Sequence, residues 1–363
     1  MELLPSYKEL KSQFPASTSQ DNFIEDCRET VKSILNGTDK RLLLIVGPCS
    51  IHDFHSAKEF AVRLKCLAES LSSHFFILMR VYCEKARTAT GWKGFLYDPL
   101  LDGSNQLLLG IKKTRQLLLE LCDLRIPAAT EFLDPLTAYY YEDLISWGSI
   151  GARTSSSQIH RQFASNLQIP IGFKNGVAGN ISAAVQGAYA ASQPHAYMAL
   201  HENGWPIATQ SKGNLDTHIV LRGGETKTNF DSHSISEALA KLSHANLPER
   251  VLIDCSHHNS NKKHEKQTIV FQSIIDQVLA GNSFIKGLML ESHLYAGNQP
   301  FHFNPQELRY GVSITDSCLD WNSTQTLIEW GAHQLQENFN PSKKISLSSE
   351  SLFSSMICTK LKR

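Results

Sequence analysis

The stretch LLLIVGPCSIHD, residues 42–53, decides the fold. Five apolar residues followed at once by Gly47 and Pro48 read as a short strand buried on both faces, as strands of parallel sheets are. Cys49, Ser50, His52 and Asp53 then arrive together, so a thiol, a hydroxyl, an imidazole and a carboxylate stand just where the strand ends. Comparable apolar runs bounded by Gly, Pro, Asn or Asp recur at 75–81, 127–132, 149–153, 169–173, 196–200, 218–221, 251–253 and 287–290. Between several of them the apolar period lengthens to that of a helix, as in Phe60, Leu64, Leu67 and Leu71, in Leu107, Ile111, Leu118 and Leu121, and in Val270, Ile274 and Val278 before Gly281. Alternation of this kind predicts βα units and a parallel sheet.

Nine such runs over roughly 250 residues fit an α/β fold of the (β/α)8 TIM-barrel type with one strand to spare. The spare run is 196–200. It is followed by HENGWPIATQ, in which Asn203 and Gly204 signal a tight turn, so residues 195–212 are expected to form an inserted β-hairpin. The expected organisation is an N-terminal extension over 1–40, a barrel over 41–338 and a polar, Ser- and Lys-rich C-terminal tail over 339–363.

The 363 residues carry no formal net charge and are 42% hydrophobic and 19% charged. Such a chain has no overall attraction for nucleic acid or membranes, and any anionic ligand must be held locally. The eight cysteines are scattered with no CxxC pair, which suits reduced thiols in the cytoplasm. No basic leader followed by an apolar run opens the chain, and no stretch reaches the ~18 apolar residues of a membrane span.

In a (β/α)8 barrel the catalytic groups stand at the C-terminal ends of strands. Here those ends carry, in order, Cys49; Arg80, with Lys85 and Arg87 beyond; Glu131 and Asp134; Arg153; Lys174; Arg222; His257; and Glu291 and His293. Taken singly, each has an ordinary reading: a small buried Cys, a hydrogen-bonded loop His, a solvated surface ion pair. Their joint occurrence at corresponding positions of all eight units favours one shared site, and the hairpin strand, ending at Leu200, lacks such a group. Arg80, Lys85, Arg87, Arg153, Lys174 and Arg222 would crowd cations into one mouth, which requires anions, and guanidinium forks match phosphate and carboxylate. Cys49, His257 and Glu291, with Asp316 as a further candidate, form a mixed S/N/O set suited to a divalent Mn, Fe, Co or Zn.

The blocks GPCSIHD, MRVYCEKART, GWKGFLYDP, PAATEFLDP, SIGARTSSSQIHR, GFKNG, IVLRGG, IDCSHHNSNKKHEKQ, ESHLYAGNQ and YGVSITDSCLDW, in that order, resemble those of type I 3-deoxy-D-arabino-heptulosonate-7-phosphate (DAHP) synthases over residues 3–338. The resemblance implies a metal-dependent, aldol-type condensation of phosphoenolpyruvate with D-erythrose 4-phosphate and water. The products are DAHP and phosphate, in the first step of the shikimate pathway of aromatic amino acid biosynthesis. It further implies that Cys49, His257, Glu291 and Asp316 hold the metal. Arg153 and Lys174 would bind the phosphate of phosphoenolpyruvate, Arg80, Lys85 and Arg222 would surround its carboxylate, and Arg87 and Thr88 would grip the phosphate of the aldose. Lys85 is then the expected proton donor or charge stabiliser, His257 the aid to a water attacking C2, and Glu131 the group that orders a water or the cationic cluster. A homodimer or homotetramer is implied as well. Ala86 and Ala89 stand where the family usually has Pro and Ser or Thr. Two alternatives remain at this stage: the related octulosonate-forming synthase that takes arabinose 5-phosphate, and a silent phosphate-binding scaffold.

Overall fold

The computed structural model describes residues 3–87 and 89–339. Its strands are β1 (Leu42–Gly47), β2 (Phe75–Arg80), β3 (Ala128–Phe132), β4 (Trp147–Ile150), β5 (Ile171–Lys174), β6 (Ala196–Leu200), β7 (Pro206–Gln210), β8 (His218–Leu221), β9 (Val251–Asp254) and β10 (Ile285–Glu291). Eight of them close a parallel barrel in the order β1-β10-β9-β8-β5-β4-β3-β2, while β6 and β7 pair antiparallel as a separate ribbon. The helices are α1 (Tyr7–Gln13), α2 (Thr18–Asn36), α3 (Phe54–Ser70), α4 (Leu107–Asp123), α5 (Pro135–Ala138), α6 (Gln158–Asn166), α7 (Ile181–Ser192), α8 (Ser232–His244), α9 (Gln267–Leu279) and α10 (Trp321–Phe339).

The apolar runs sort into two cores by the two-residue period of a strand. In β1, Leu42, Leu44 and Val46 face outward into the layer shared with the helices, whereas Leu43 and Ile45 face inward beside Leu78, Ala129, Val220, Leu252 and Met289. The inner core is sealed from below by α2, whose Val31, Ile34 and Leu35 pack into it. Residues 1–40 are therefore more than a lead-in. A capping box between Ser17 and Gln20 starts α2, and Gly37 in the left-handed region (φ +78°) stops it.

One local expectation is corrected. The fourth barrel strand was expected at 149–153 but spans Trp147–Ile150, because the chain turns at Gly151, whose carbonyl accepts from the N–H groups of Thr154 and Ser155. Trp147 belongs to the strand: its indole lies in the inner core and donates to Nε2 of His218 at 3.1 Å. Arg153 consequently projects from the turn and not from the strand. Of the expected tail, residues 340–363 lie outside the described residues. No helix among the described residues is long and apolar enough to cross a membrane.

The N-terminal segment is tied down by two arginines, Arg115 buried and Arg28 half-buried. The guanidinium of Arg115 on α4 donates to the carbonyls of Phe14 (2.8 Å) and Tyr140 (3.1 Å) and forms a two-pronged pair with Asp143 at 2.8 and 2.9 Å. Arg28 on α2 donates to the carbonyls of Ile145 and Glu142, both at 2.9 Å. At the ribbon, the Lys8 N–H donates to the carbonyl of Glu202 at 3.1 Å. Truncating Arg115 strands two carbonyls and a carboxylate at once. Arg115→Ala is expected to cost about 3 kcal/mol in urea unfolding, with α1 and α2 losing amide-exchange protection first; a loss below about 0.5 kcal/mol, the ordinary range for surface substitutions, would show that the clamp is dispensable.

Candidate active site

Every barrel strand delivers its last side chains to one end, where a cavity of about 690 Å³ opens. Gly47 sets the geometry of the first delivery. Its φ of +153° and the approach of β2, which would leave a Cβ only 3.1 Å from the backbone N and O of Arg80, allow glycine alone to end β1 there. The chain then turns so that Cys49 is fully buried with its Sγ 2.8 Å from Nζ of Lys85 and 3.5 Å from Oδ2 of Asp316. Burial, with Glu291 adding to it, pushes the thiol up to about 12.

The Cys49 sulfur and the carboxylate oxygens of Glu291 and Asp316 lie within 4.8 Å of one another. His257 approaches the same cluster, with Nε2 3.8 Å from Oε1 of Glu291. Its backbone is in the left-handed region (φ +55°), and its Nδ1 is held by Oδ2 of Asp254 at 2.9 Å and by the Ser256 hydroxyl at 2.8 Å. That grip on Nδ1 leaves Nε2 directed at the cluster. A thiol and two carboxylates in one cluster, with an imidazole nitrogen at its edge, are the donor set of a borderline divalent ion, so the residues present fit a metal.

The cations surround this cluster. Arg80 is buried with Nη2 3.0 Å from Oε1 of Glu291, its guanidinium carbon 4.0 Å over the ring of Tyr82, and its Nη1 without a hydrogen-bond partner among the described residues. Burial works against its charge, but Tyr82, Glu291 and Asp254 outweigh burial and hold the pKa above the ordinary value. Lys85 also pairs with Asp316 at 3.3 Å, and that charge is the chief reason the Asp316 carboxyl lies far below the carboxylate range. Lys174 lies deeper, 3.0 Å from Glu131 and 3.5 Å from Asp254. Burial opposes ionisation of both carboxyls, yet Lys174 for Glu131, and His257 with Lys174 for Asp254, keep them ionised. Gly151 makes room for Glu131, since a Cβ there would collide with its carboxylate. Arg222 is buried, with Nη1 3.0 Å from Nδ1 of His258. Arg153 and the exposed Arg87 line the same cavity. Thr88 lies outside the described residues.

Two ionisable strand-end residues do not join the site. Asp134 caps α5, accepting from the Leu136 N–H at 2.8 Å, and His293 is buried edge-on to His52 with ring centroids 5.7 Å apart. Two residues that matter were not singled out from the sequence. Asp254 ends β9 inside IDCSH and orients His257; the block itself was the signal. Glu84 precedes Lys85, is 4% exposed, and accepts from the hydroxyls of Thr137 and Tyr141, while its Oε2 has no partner among the described residues. An acidic residue beside a basic one looks like surface in a sequence, and only the fold shows it buried.

A parallel barrel whose mouth gathers phosphate-matching cations around a Cys, His and carboxylate cluster defines a class: metal-assisted enzymes acting on small phosphorylated anions. The sequence profile of the DAHP synthetase I family matches residues 13–329, and the chain belongs to that family. Enzymes of this family are aldol-type, metal-dependent transferases that join phosphoenolpyruvate to erythrose 4-phosphate. The chain is 45% identical to the Phe-sensitive phospho-2-dehydro-3-deoxyheptonate aldolase of Escherichia coli over 90% of its own length and 93% of that protein. It is 43% identical to the Trp-sensitive enzyme of the same organism, covering 93% and 97%. The solved phospho-2-dehydro-3-deoxyheptonate aldolase of Francisella tularensis superposes with a TM-score of 0.90 at 40% identity, covering 93% of this chain and 98% of that one.

Burial raises the Glu84 carboxyl to about 7, with Asp134 adding to the effect against the hydrogen bonds from Thr137 and Tyr141. Because the folded value exceeds the unfolded one, stability from this group is complete below about pH 4.5 and is lost as pH rises through about 7. Thermal melts of the wild type should therefore fall more between pH 6 and pH 8 than those of Glu84→Gln, which keeps the acceptor oxygen without the charge. Parallel melting curves for the two proteins would contradict the assignment.

Proposed function

We propose that this chain condenses phosphoenolpyruvate with D-erythrose 4-phosphate and water to DAHP and phosphate within the β1–β10 mouth of a catalytic unit spanning 41–338, with 1–40 as its extension. The observation that carries the reading is the coincidence, in one cavity, of a metal-ligating cluster with a buried Arg80 donor that lacks a partner. In this reading Arg80, Lys85 and Arg222 take the carboxylate of phosphoenolpyruvate, Arg153 and Lys174 its phosphate, and Arg87 with Thr88 the phosphate of the aldose. Holding two polyanions in register removes much of the entropic barrier to their encounter.

Cys49, His257, Glu291 and Asp316 would hold the divalent ion, which supplies Lewis-acid polarisation of the aldehyde oxygen when bound. C3 of the enol phosphate forms the new bond to the aldehyde carbon, and Lys85, charged and adjacent, delivers a proton to the oxygen that becomes a hydroxyl. Water adds at C2 and gives up one proton to the surrounding carboxylates or solvent; the C2–O bond to phosphate then breaks, phosphate leaves with the second proton, and C2 becomes the carbonyl of the product. Glu131, ionised beside Lys174, orders that water. His257 serves the step through its fixed orientation, since Asp254 and Ser256 occupy Nδ1. The donor set suits Mn, Fe, Co or Zn alike. Seven described cysteines, all free thiols, accord with work in the cytoplasm, and the family resemblance accords with a homodimer or homotetramer.

The test is phosphate release and phosphoenolpyruvate consumption by chelator-treated protein, before and after Mn is added, with erythrose 4-phosphate or arabinose 5-phosphate. Turnover restored by the ion with the four-carbon sugar is expected. Preference for the five-carbon sugar would assign the octulosonate-forming reaction and implicate the Ala86 and Ala89 loop, and no turnover with either would contradict the proposal.

A further inference from the structure

The cations of the mouth are held in two different ways. Arg80, Lys85 and Lys174 each pair with a carboxylate, at 3.0, 3.3 and 3.0 Å. Arg222, just past β8 and 6% exposed, has no carboxylate within ion-pair distance among the described residues, and its Nη1 instead donates to Nδ1 of the half-buried His258 at 3.0 Å. A guanidinium only donates, so Nδ1 is the acceptor and the imidazole is the neutral tautomer protonated at Nε2. A carboxylate in that place would orient Arg222 but also neutralise it, and an arriving anion would have to displace it. The neutral acceptor fixes the guanidinium and leaves its whole charge for a ligand.

The backbone around the two residues is locked on both sides of this contact. The His258 N–H donates to the Arg222 carbonyl at 3.2 Å, so the pair is joined twice, once through the main chain and once through the side chains. The Arg222 N–H donates to Oδ1 of Asn175 at 2.8 Å, and the next N–H, of Gly223, to Oδ1 of Asn229 at 2.7 Å. Beyond His258 the chain turns at once: the Asn261 N–H donates to the His258 carbonyl at 3.1 Å, and Asn261 and Lys262 both lie at positive φ. With both backbones fixed, the long Arg222 side chain is the mobile part, and His258 is what restrains it.

Both side chains line the reaction cavity. We propose that His258 is a positioning residue for phosphoenolpyruvate, holding the still fully charged Arg222 guanidinium in the pose that meets the substrate's carboxylate, given the assignment of that carboxylate to Arg222 made above. Ordering a long side chain before the ligand arrives removes that cost from binding. Glu225 lines the same cavity without pairing with Arg222, so the imidazole has no competitor for the guanidinium among the described carboxylates.

The test is calorimetric titration of phosphoenolpyruvate into the Mn-loaded full chain and into folded His258→Ala, His258→Asn and His258→Asp, with steady-state turnover measured alongside. Asn places an amide oxygen near the position of Nδ1, and Asp places a charged one there. Kd should rise about fivefold or more in His258→Ala and return to within about twofold of wild type in His258→Asn. His258→Asp should bind at least as weakly as His258→Ala, because its carboxylate competes with the ligand. At saturating phosphoenolpyruvate, kcat of His258→Ala should stay within about threefold of wild type, the mark of an interaction made equally in ground and transition states. Wild-type affinity in His258→Ala or His258→Asp, or equal weakening by Ala and Asn, would overturn the proposal and leave the assigned reaction standing. The expected Kd pattern without turnover by the wild type would overturn the assigned reaction alone, and no binding by the wild type would overturn both.

Discussion

The structure turns on the pairing of Arg80 with Glu291 across 3.0 Å at the floor of the barrel mouth, where neither side chain exceeds 2% exposure. Taking two such charges out of water costs several kcal/mol each, and their mutual attraction repays it only with good geometry and further partners. The mouth supplies those partners by alternation. Lys85 stands between Cys49 and Asp316, Lys174 between Glu131 and Asp254, and Asp254 in turn holds His257. No member of the network can be neutralised without disturbing its neighbours, so positive charge stays fixed at a buried site that anionic substrates can reach.

That arrangement also explains how one fold serves binding and chemistry together. Cations already held by carboxylates need little reorganisation when phosphate or carboxylate arrives, which is the preorganisation on which electrostatic catalysis depends. The donors not consumed by the network mark where ligands belong: Nη1 of Arg80 has no partner among the described residues, and Arg87 stands exposed at the rim. The core below is ordinary by comparison, with inward residues such as Leu43, Ile45 and Met289 sealed by α2.

Much of this was legible in the sequence, for physical reasons. Buried parallel strands are short apolar runs with abrupt ends, so the eight barrel strands and the Asn203–Gly204 hairpin could be located, and strand-end position made Cys49, His257 and Glu291 conspicuous together, with Asp316 a further candidate beyond the last strand. The structure brings Cys49, Glu291 and Asp316 into one cluster, with His257 beside it. What local pattern does not encode was missed. Trp147 joins β4 because its indole finds His218 across the barrel, and α2 becomes a plug because the barrel bottom needs covering. Glu84 is buried by Thr137 and Tyr141, more than fifty residues away in the chain.

The central claim is that Cys49 follows the end of β1 in order to place sulfur on a divalent ion beside Arg80 and Lys85. Cobalt(II) titration of chelator-treated protein, followed in the near ultraviolet, reads sulfur ligation directly and without substrate. The account predicts a thiolate-to-cobalt charge-transfer band that saturates with one ion per chain and disappears in folded Cys49→Ala. A bound cobalt ion with no such band, or a band that survives the substitution, would contradict it.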